Sequence, residues 1–203
     1  QTALAALGVG LGDEVLVTPY TMSASATAIL MQNACPVFVD IDEKTFNIDA
    51  NKIEEKITNR TKAIVVVDLF GQPADFKKIR KIADKHNLKI IEDGAQAANA
   101  TYYGKKACTL GDIGILSLNF HKIIHCGEGG ILFTDNEELA IRCKLIRNHG
   151  ENAVDDFGIK DISHTMGLNV RMTEIEAGIA NAQLDKLDHL YSVRNQLAEY
   201  LTQ

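Results

Sequence analysis

The sequence lacks the features that define several large classes of protein. Its longest apolar runs, such as residues 64–67, are far too short to cross a bilayer. No basic stretch accompanies aromatic residues, and the formal net charge is −6, so we do not expect nucleic acid as a partner. No leader of basic, apolar and small residues opens the sequence, and we therefore expect a cytoplasmic location.

Cysteine is too sparse and too widely spaced to build a framework. The four thiols are Cys35, Cys108, Cys126 and Cys143. Because no two of them form a C-x-x-C pair, the spacing favours reduced, packed thiols over a disulfide frame or a zinc site. His121 and His125 stand four residues apart beside Cys126. Without a second ligand pair they are weak support for a metal site, and we predict none.

Short β-rich runs alternate with amphipathic helical stretches along the chain. The expected strands are residues 14–18, 36–40, 63–67, 88–92, 114–118 and 130–134. The expected helices are residues 22–32, 52–57, 74–87, 137–148 and one long helix from about 173 to beyond 200. Strands that alternate with helices indicate crossover connections and a parallel sheet covered on both faces. We therefore predict an α/β fold, a three-layer αβα sandwich with a mostly parallel central sheet.

Both ends of the chain carry helical patterns. Residues 1–7 resemble the last turns of a helix that Gly8 stops, and residues 201–203 end inside a helical pattern without a cap signal. Residues 151–169 are polar and contain glycine, which predicts an excursion or hairpin. The final helix should bury its apolar positions, which are Ile175, Ile179, Ala182, Leu187 and Leu190. We expect the chain to be a fragment of a longer enzyme.

Two residues that follow strands suggest cofactor chemistry. Asp93 comes directly after the expected strand 88–92, and Lys122 comes shortly after the expected strand 114–118. Ligands bind beyond the carboxyl ends of such strands. Pyridoxal phosphate (PLP) needs a lysine amine to bond its aldehyde and a carboxylate to keep its ring nitrogen protonated. From position alone, Asp93 as a helix N-cap and Lys122 as a solvated surface lysine stay open alternatives.

A set of ordered motifs runs along almost the whole chain. They are GDEV at 12–15, TPYT at 18–21, PVFVDID at 36–42, FNID at 46–49, LFGQPAD at 69–75, ED-x-AQ at 92–96, GDIG at 111–114, RNHG at 147–150 and NVRMTE at 169–174. Together they resemble the DegT/DnrJ/StrS family of PLP-dependent sugar aminotransferases. The resemblance implies the large domain of the aspartate aminotransferase-like fold type I.

The resemblance also implies roles for single residues. Lys122 would hold the cofactor and move protons between the substrate carbon and the cofactor carbon. Asp93 would pair with the ring nitrogen, Gln96 would bond the ring oxygen, and Ser117 would bind the phosphate. The alternatives are that Ser117 is a strand residue bonded to backbone and that Gln96 lies on a helix surface.

Two later residues are implied to act across a dimer interface. In this family the active sites are shared between subunits, so Asn169 or Arg171 would reach the phosphate of the partner subunit's cofactor. The alternative is that Arg171 pairs with Glu174 on the next helix. The expected assembly is a homodimer with shared active sites.

The sequence departs from the family pattern in three respects. An aromatic residue usually stacks on the cofactor ring, but Met22 occupies that position, and a shift of two would make Tyr20 the stacking residue. Asp68 stands where histidine is frequent, which affects the expected substrate contacts. The glycine-threonine phosphate cradle is expected upstream of Gln1 and a C-terminal domain is expected after Gln203, so this chain alone should bind PLP poorly.

The function implied is transfer of an amino group from an amino acid, glutamate being the expected donor, to a nucleotide-linked keto sugar. Such products enter polysaccharide biosynthesis. Residues 1–150 would form the PLP-binding large-domain core, and residues 151–203 would form the excursion and the start of the helix to the C-terminal domain. The alternatives are a cyclitol aminotransferase, a sugar dehydratase in which histidine replaces the lysine, and a non-catalytic truncated homologue.

Overall fold

A six-stranded sheet forms the centre of the fold, seen in a computed structural model that describes residues 1–151 and 166–203. The strands are β1 (Glu14–Val17), β2 (Cys35–Phe38), β3 (Thr61–Val67), β4 (Lys89–Asp93), β5 (Thr101–Tyr102), β6 (Lys105–Lys106), β7 (Ile113–Ser117) and β8 (Gly130–Phe133). The central sheet has the order β2-β1-β3-β4-β7-β8, while β5 and β6 form a separate hairpin. All neighbours in the central sheet are parallel except β8, which is antiparallel to β7. The predicted mostly parallel sheet is confirmed.

Helices cover both faces of the central sheet. They are α1 (Thr2–Ala6), α2 (Ser23–Leu30), α3 (Ala50–Ile53), α4 (Phe76–Lys85), α5 (Glu137–Arg147), α6 (Glu174–Leu184) and α7 (Leu187–Leu201). Helices α1, α2 and α5 pack on one face, and α3 and α4 pack on the other. The chain reverses its direction across the sheet between β2 and β3. Because crossovers between parallel strands are right-handed, this reversal places α2 opposite α3 and α4.

Strand β3 is buried on both faces and divides the core in two. Val65 and Val67 belong to the cluster beneath α1, α2 and α5, whereas Ile64 and Val66 belong to the cluster beneath α3 and α4. This division follows from the two-residue period of a strand, whose successive side chains point to opposite faces. The almost continuous apolar run of β3 is the pattern expected of a parallel strand covered on both sides.

The C-terminal helical region differs from the prediction in two ways. The single expected helix is broken into α6 and α7, and α6 begins with a capping box formed by Thr173 and Glu176. Leu187 and Leu190 do pack inward, against a small cluster at residues 118–126. The other expected core positions are exposed; they are Ile175, Ile179 and Ala182. Burial of these three was wrong for this chain, because none of the described elements covers that face of α6.

The hairpin of β5 and β6 was not predicted from the sequence. Its two turn residues, Tyr103 and Gly104, both have positive φ, at 47° and 81°. A two-residue turn of that kind usually shows Asn or Asp at the first position, so tyrosine gave no signal. Most of the expected excursion at 151–169 lies outside the described residues. In the parts of the chain that the structure describes, no helix is long and apolar enough to span a membrane.

Replacing Ile64 by alanine should lower the free energy of unfolding by about 2–5 kcal/mol. Ile64 is fully buried in strand β3, so the smaller side chain would leave a cavity. Ile131→Ala on the edge strand β8 is the matched control, since Ile131 is 38% exposed. Urea unfolding followed by circular dichroism would measure both losses. Equal losses in the two variants would contradict the assigned core.

Candidate functional site

The candidate site lies at the carboxyl edge of the central sheet. Asp93 is the last residue of β4, and Ser117 is the last residue of its parallel neighbour β7. Parallel strands end at the same edge, so these two side chains share the region where ligands bind in open α/β sheets. Lys122 follows Ser117 in the loop between β7 and β8.

Asp93 is held by a residue that the sequence did not single out. Ser25 Oγ on α2 donates to Asp93 Oδ2 at 2.8 Å, across 68 positions of sequence. Ala95 N donates to Asp93 Oδ1 at 3.3 Å. Two turns and irregular residues, not a helix, follow at residues 94–100, so the interpretation of Asp93 as a helix N-cap is wrong. The contact with Ser25 fixes the orientation of the carboxylate at the sheet edge.

Lys122 is half-buried and faces a cleft, not open solvent. The loop that carries Lys122 also contains a small buried cluster, formed by Leu118, Ile124 and Cys126, which holds the loop in place. None of the ion pairs within residues 1–151 and 166–203 involves Lys122. A lysine in a cleft and without a carboxylate partner is placed where a bound carbonyl group could meet its amine. Its half-buried position favours this role over that of a solvated surface lysine, and the assignment stays a prediction.

The cleft has a volume of about 550 Å³, which is within the range of small-molecule sites. Three of the predicted residues line it, namely Gln96, Ser117 and Lys122. Helix α7 contributes Tyr191, Arg194 and Asn195 to the same cleft. Sequence analysis missed these three because it assigned α7 only a packing role. Arg194 brings a positive charge to the cleft.

The amide of Gln96 has a defined orientation. Phe70 N donates to Gln96 Oε1 at 2.6 Å, and a backbone N–H can only donate, so the oxygen must face Phe70. This leaves Nε2 as the donor available to a ligand. The neighbouring Gly71 has a φ of +85°, and a Cβ there would lie 3.1 Å from Gln96 O, so glycine is required at this turn. Gln96 does not lie on a helix, but it is an exposed residue, so a position on the protein surface stays an open alternative for it.

Ser117 Oγ accepts a hydrogen bond from Asn119 N at 3.3 Å. A hydroxyl that accepts in this way still has its own proton to donate, and an anion such as a phosphate oxygen could receive it. Ser117 therefore combines the expected backbone contact with a position in the cleft.

The two candidates for stacking on a cofactor ring have different surroundings. Tyr20 packs against Phe46 and Phe70, with ring centroids 5.8 and 6.5 Å away. Met22 is 70% exposed and caps α2, three residues before the Ser25 that contacts Asp93. The engaged ring of Tyr20 and the nearness of Met22 to the Asp93 contact favour Met22, and the assignment stays a prediction.

Asn169 and Arg171 are not brought to the cleft of their own chain. Asn169 forms a bridge with Asn148, and Arg171 Nη1 donates to Asn148 Oδ1. Arg171 thus pairs with Asn148. The alternative, in which Arg171 pairs with Glu174, was wrong. Their expected role at a partner subunit's cofactor stays a prediction.

A buried acidic pair lies beneath the cleft. Glu92 is fully buried, and its carboxylate accepts from Cys108 N and Leu110 N, both at 2.6 Å, and from Gly111 N at 3.2 Å. Asp68, directly after β3, is also fully buried. Burial, and next the charge of Glu92, raise the pKa of Asp68 to about 9. Asp68 is therefore too deep to contact a substrate directly, unlike the position expected from the sequence.

Burial also makes the thiol of Cys108 a poor nucleophile. Burial, reinforced by the charge of Glu92, raises the pKa of Cys108 to about 12, so the thiolate is scarce at neutral pH. Of the four cysteines only Cys35 is exposed. Within the described residues, no group of three or more His, Cys, Asp or Glu side chains is arranged to hold a metal ion.

Comparison with known proteins relates this geometry to a family. The sequence model described as the DegT/DnrJ/EryC1/StrS aminotransferase family matches residues 1–203. GDP-perosamine synthase from Caulobacter vibrioides is 43% identical over 99% of this chain and 53% of its own length. L-glutamine:2-deoxy-scyllo-inosose aminotransferase from Streptoalloteichus tenebrarius is 38% identical over 98% of this chain and 48% of its own length.

A solved structure shares the fold described above. The crystal structure of NtdA from Bacillus subtilis with bound cofactor PMP is 39% identical and superposes with a TM-score of 0.82. The match covers 92% of this chain and 41% of that one. The chain thus spans about half the length of the curated relatives it matches.

Gly94→Ala should lower the free energy of unfolding by about 1–3 kcal/mol, because a Cβ at this position would lie 2.4 Å from Cys108 Sγ. Cys108→Ala removes that sulfur. The double variant should therefore lose less stability than the sum of the two single variants. Urea unfolding of all four proteins measures the coupling, and strict additivity would show that Cys108 does not exclude a side chain beside Asp93.

Proposed function

The chain belongs to the DegT/DnrJ/EryC1/StrS aminotransferase family, and from this premise we propose that it carries the cofactor site of a PLP-dependent aminotransferase. The reaction we infer moves an amino group from an amino acid, with glutamate as donor, to a nucleotide-linked keto sugar. The single observation that carries the proposal is that Gln96, Ser117 and Lys122 line one cleft. Asp93 ends strand β4 at the same edge of the sheet.

The residues present match the chemical needs of PLP. When bound, PLP supplies an electron sink that makes a proton next to the substrate nitrogen removable. Lys122 Nζ is the amine that would bond the aldehyde, and Asp93 is the carboxylate that would face the ring nitrogen. Gln96 Nε2 is free to donate to the ring oxygen because Phe70 N already occupies Oε1. The hydroxyl of Ser117 is free to donate to the phosphate.

Lys122 would also carry the proton that the reaction moves. An amine without an ion-pair partner can accept a proton from the substrate carbon and return it to the cofactor carbon, which is general acid–base catalysis. Its half-buried position would limit the number of places that Nζ can reach. Ser25 would support the reaction by keeping the Asp93 carboxylate oriented.

A nucleotide-linked sugar is favoured as substrate over a cyclitol. The GDP-perosamine synthase is 43% identical to this chain, and the L-glutamine:2-deoxy-scyllo-inosose aminotransferase is 38% identical. The name of the second relative keeps glutamine as an alternative donor and a cyclitol as an alternative substrate. Products of the favoured reaction would enter polysaccharide biosynthesis in the cytoplasm.

A homodimer with shared active sites follows from the same proposal. Asn169 and Arg171 lie outside the cleft of their own chain, and we propose that they reach the phosphate of a partner subunit's cofactor. The exposed apolar residues of α6 would lie against further protein in the complete enzyme. Residues 1–150 would form the cofactor-binding core, and residues 151–203 would lead to a C-terminal domain.

The dehydratase alternative is the weaker one. Histidine replaces the reactive lysine in such relatives, whereas Lys122 itself is half-buried in the cleft of this chain. The neighbouring His121 is exposed, and its ring lies against Phe120 with centroids 3.7 Å apart. A non-catalytic homologue would not be expected to bring Gln96, Ser117 and Lys122 together.

Lys122→Ala should abolish the visible absorbance band that the purified protein forms with added PLP. Borohydride should fix the cofactor on the wild-type protein, and peptide mass spectrometry should find it on Lys122. Lys62→Ala is the matched control, because Lys62 is exposed on β3 and should keep both the band and the label.

Two results would contradict this assignment. A label on another lysine would remove Lys122 from its role, and no band in a well-folded, full-length version of the protein would favour the non-catalytic homologue. If the band forms, keto sugar nucleotides and cyclitol ketones should be tested separately with glutamate and glutamine. Turnover of a cyclitol alone would replace the proposed substrate class.

A further inference from the structure

Beneath the cleft, the two oxygens of the buried Asp68 carboxyl have unequal surroundings. Oδ1 accepts from Ala74 N at 3.1 Å. Oδ2 is buried and receives no hydrogen bond from the described parts of the chain. A buried charged oxygen without a donor is very unfavourable, whereas a protonated oxygen needs an acceptor instead of a donor.

The described groups that face Asp68 are acids and a thiol. Glu92 and Asp93, on the neighbouring strand β4, are the acids whose charges act on Asp68. The Cys108 thiol lies near Asp68, Glu92 and Asp93. Two neighbouring buried carboxyls cannot both be ionised without strong repulsion. Glu92 already accepts three backbone N–H groups, so its oxygens are satisfied as a carboxylate. The proton of the pair therefore belongs on Asp68, and Oδ2 is the oxygen that would carry it.

The other oxygen of Asp68 closes a strained turn at residues 68–74. The bond from Ala74 N to Oδ1 joins the two ends of this turn. Within it, Phe70 and Gly71 both have positive φ, at 56° and 85°. A bulky residue adopts that conformation only where the surroundings hold it. Asp68 is one of the groups that hold it.

The same turn meets the candidate cofactor site. Leu69 N donates to Asn47 Oδ1 at 2.9 Å, and Phe70 N donates to Gln96 Oε1 at 2.6 Å. The orientation of the Gln96 amide therefore depends on where the turn places Phe70 N. Loss of the hydrogen bond from Ala74 N to Asp68 should therefore change the orientation of the Gln96 amide.

We propose that Asp68 is a neutral carboxylic acid whose Oδ2–H donates to Glu92, and that it thereby acts as a positioning residue for the turn that orients Gln96. The position of the proton is argued from the burial of Asp68 Oδ2 without a donor and from the three N–H groups that Glu92 already accepts. The consequence for the cofactor rests on the proposed function. The two parts are tested by different measurements, so the failure of one is distinguishable from the failure of the other.

The first test is the pH dependence of stability without added cofactor. The stability associated with protonated Asp68 is fully present below its unfolded pKa of about 3.9 and is lost as the pH rises to the folded pKa of about 9. Asp68→Asn keeps an acceptor for Ala74 N and a donor for Glu92 but cannot ionise. Its unfolding equilibrium constant relative to wild type should therefore fall by up to about tenfold per pH unit between about pH 5 and pH 9.

Asp135→Asn is the control for the first test, because Asp135 is an exposed carboxylate. It should follow the wild-type curve across the whole range. If Asp68→Asn also runs parallel to wild type, Asp68 is already ionised in the folded protein and the proposal is overturned. A progressive gain of the Asn variant over wild type supports it.

The second test separates positioning from bulk stability. Asp68→Leu removes both hydrogen bonds, so it should weaken retention of PLP during gel filtration and alter the absorbance of the bound cofactor. Asp68→Asn should restore both to the wild-type values. If Asp68→Leu does not fold, Asp68→Ala, which also removes both hydrogen bonds, takes its place, and loss of PLP in a folded Asn variant would refute the positioning role.

Discussion

Two consecutive carboxylates end the central strand β4, and much of the structure depends on the opposite directions in which they point. Glu92 is fully buried and accepts three backbone N–H groups from residues 108–111. Asp93 meets Ser25 at the sheet edge. Because adjacent side chains of a strand face opposite sides, one acid can serve the core while the next serves the site. Each is acceptable only with its donors, since a buried charge without partners is costly.

The Glu92 contact also places the lysine loop. The segment that Glu92 holds leads directly into β7, where a Cβ on Gly114 would meet Cys108 O at 1.8 Å. Such close backbone packing leaves little freedom in the position of β7, whose last residue is Ser117. Lys122 then follows on a loop that its own small apolar cluster supports. The hydrogen bonds that satisfy the buried Glu92 carboxylate thus also help to position the candidate site.

Most elements and most of the candidate site were predictable, whereas contacts between distant elements were not. The apolar run of β3 and the positions of Asp93 and Lys122 at or beyond strand ends follow from local patterns, whereas Ser117 was singled out by the family resemblance. Ser25, the cleft-lining residues of α7 and the protonated Asp68 had no local signal. Their roles depend on neighbours many positions away in sequence, and a periodic pattern cannot report such neighbours.

The sequence by itself determined the α/β class, the mostly parallel sheet and the family, because periodicity and motif order are written along the chain. Only the tertiary structure decided that Lys122 is half-buried without an ion-pair partner among the described residues, and that Gln96 turns its oxygen toward Phe70. It also decided that Asp68 and Glu92 share one buried region. Burial and pairing set the charge and orientation of a side chain, and both are properties of the packed fold.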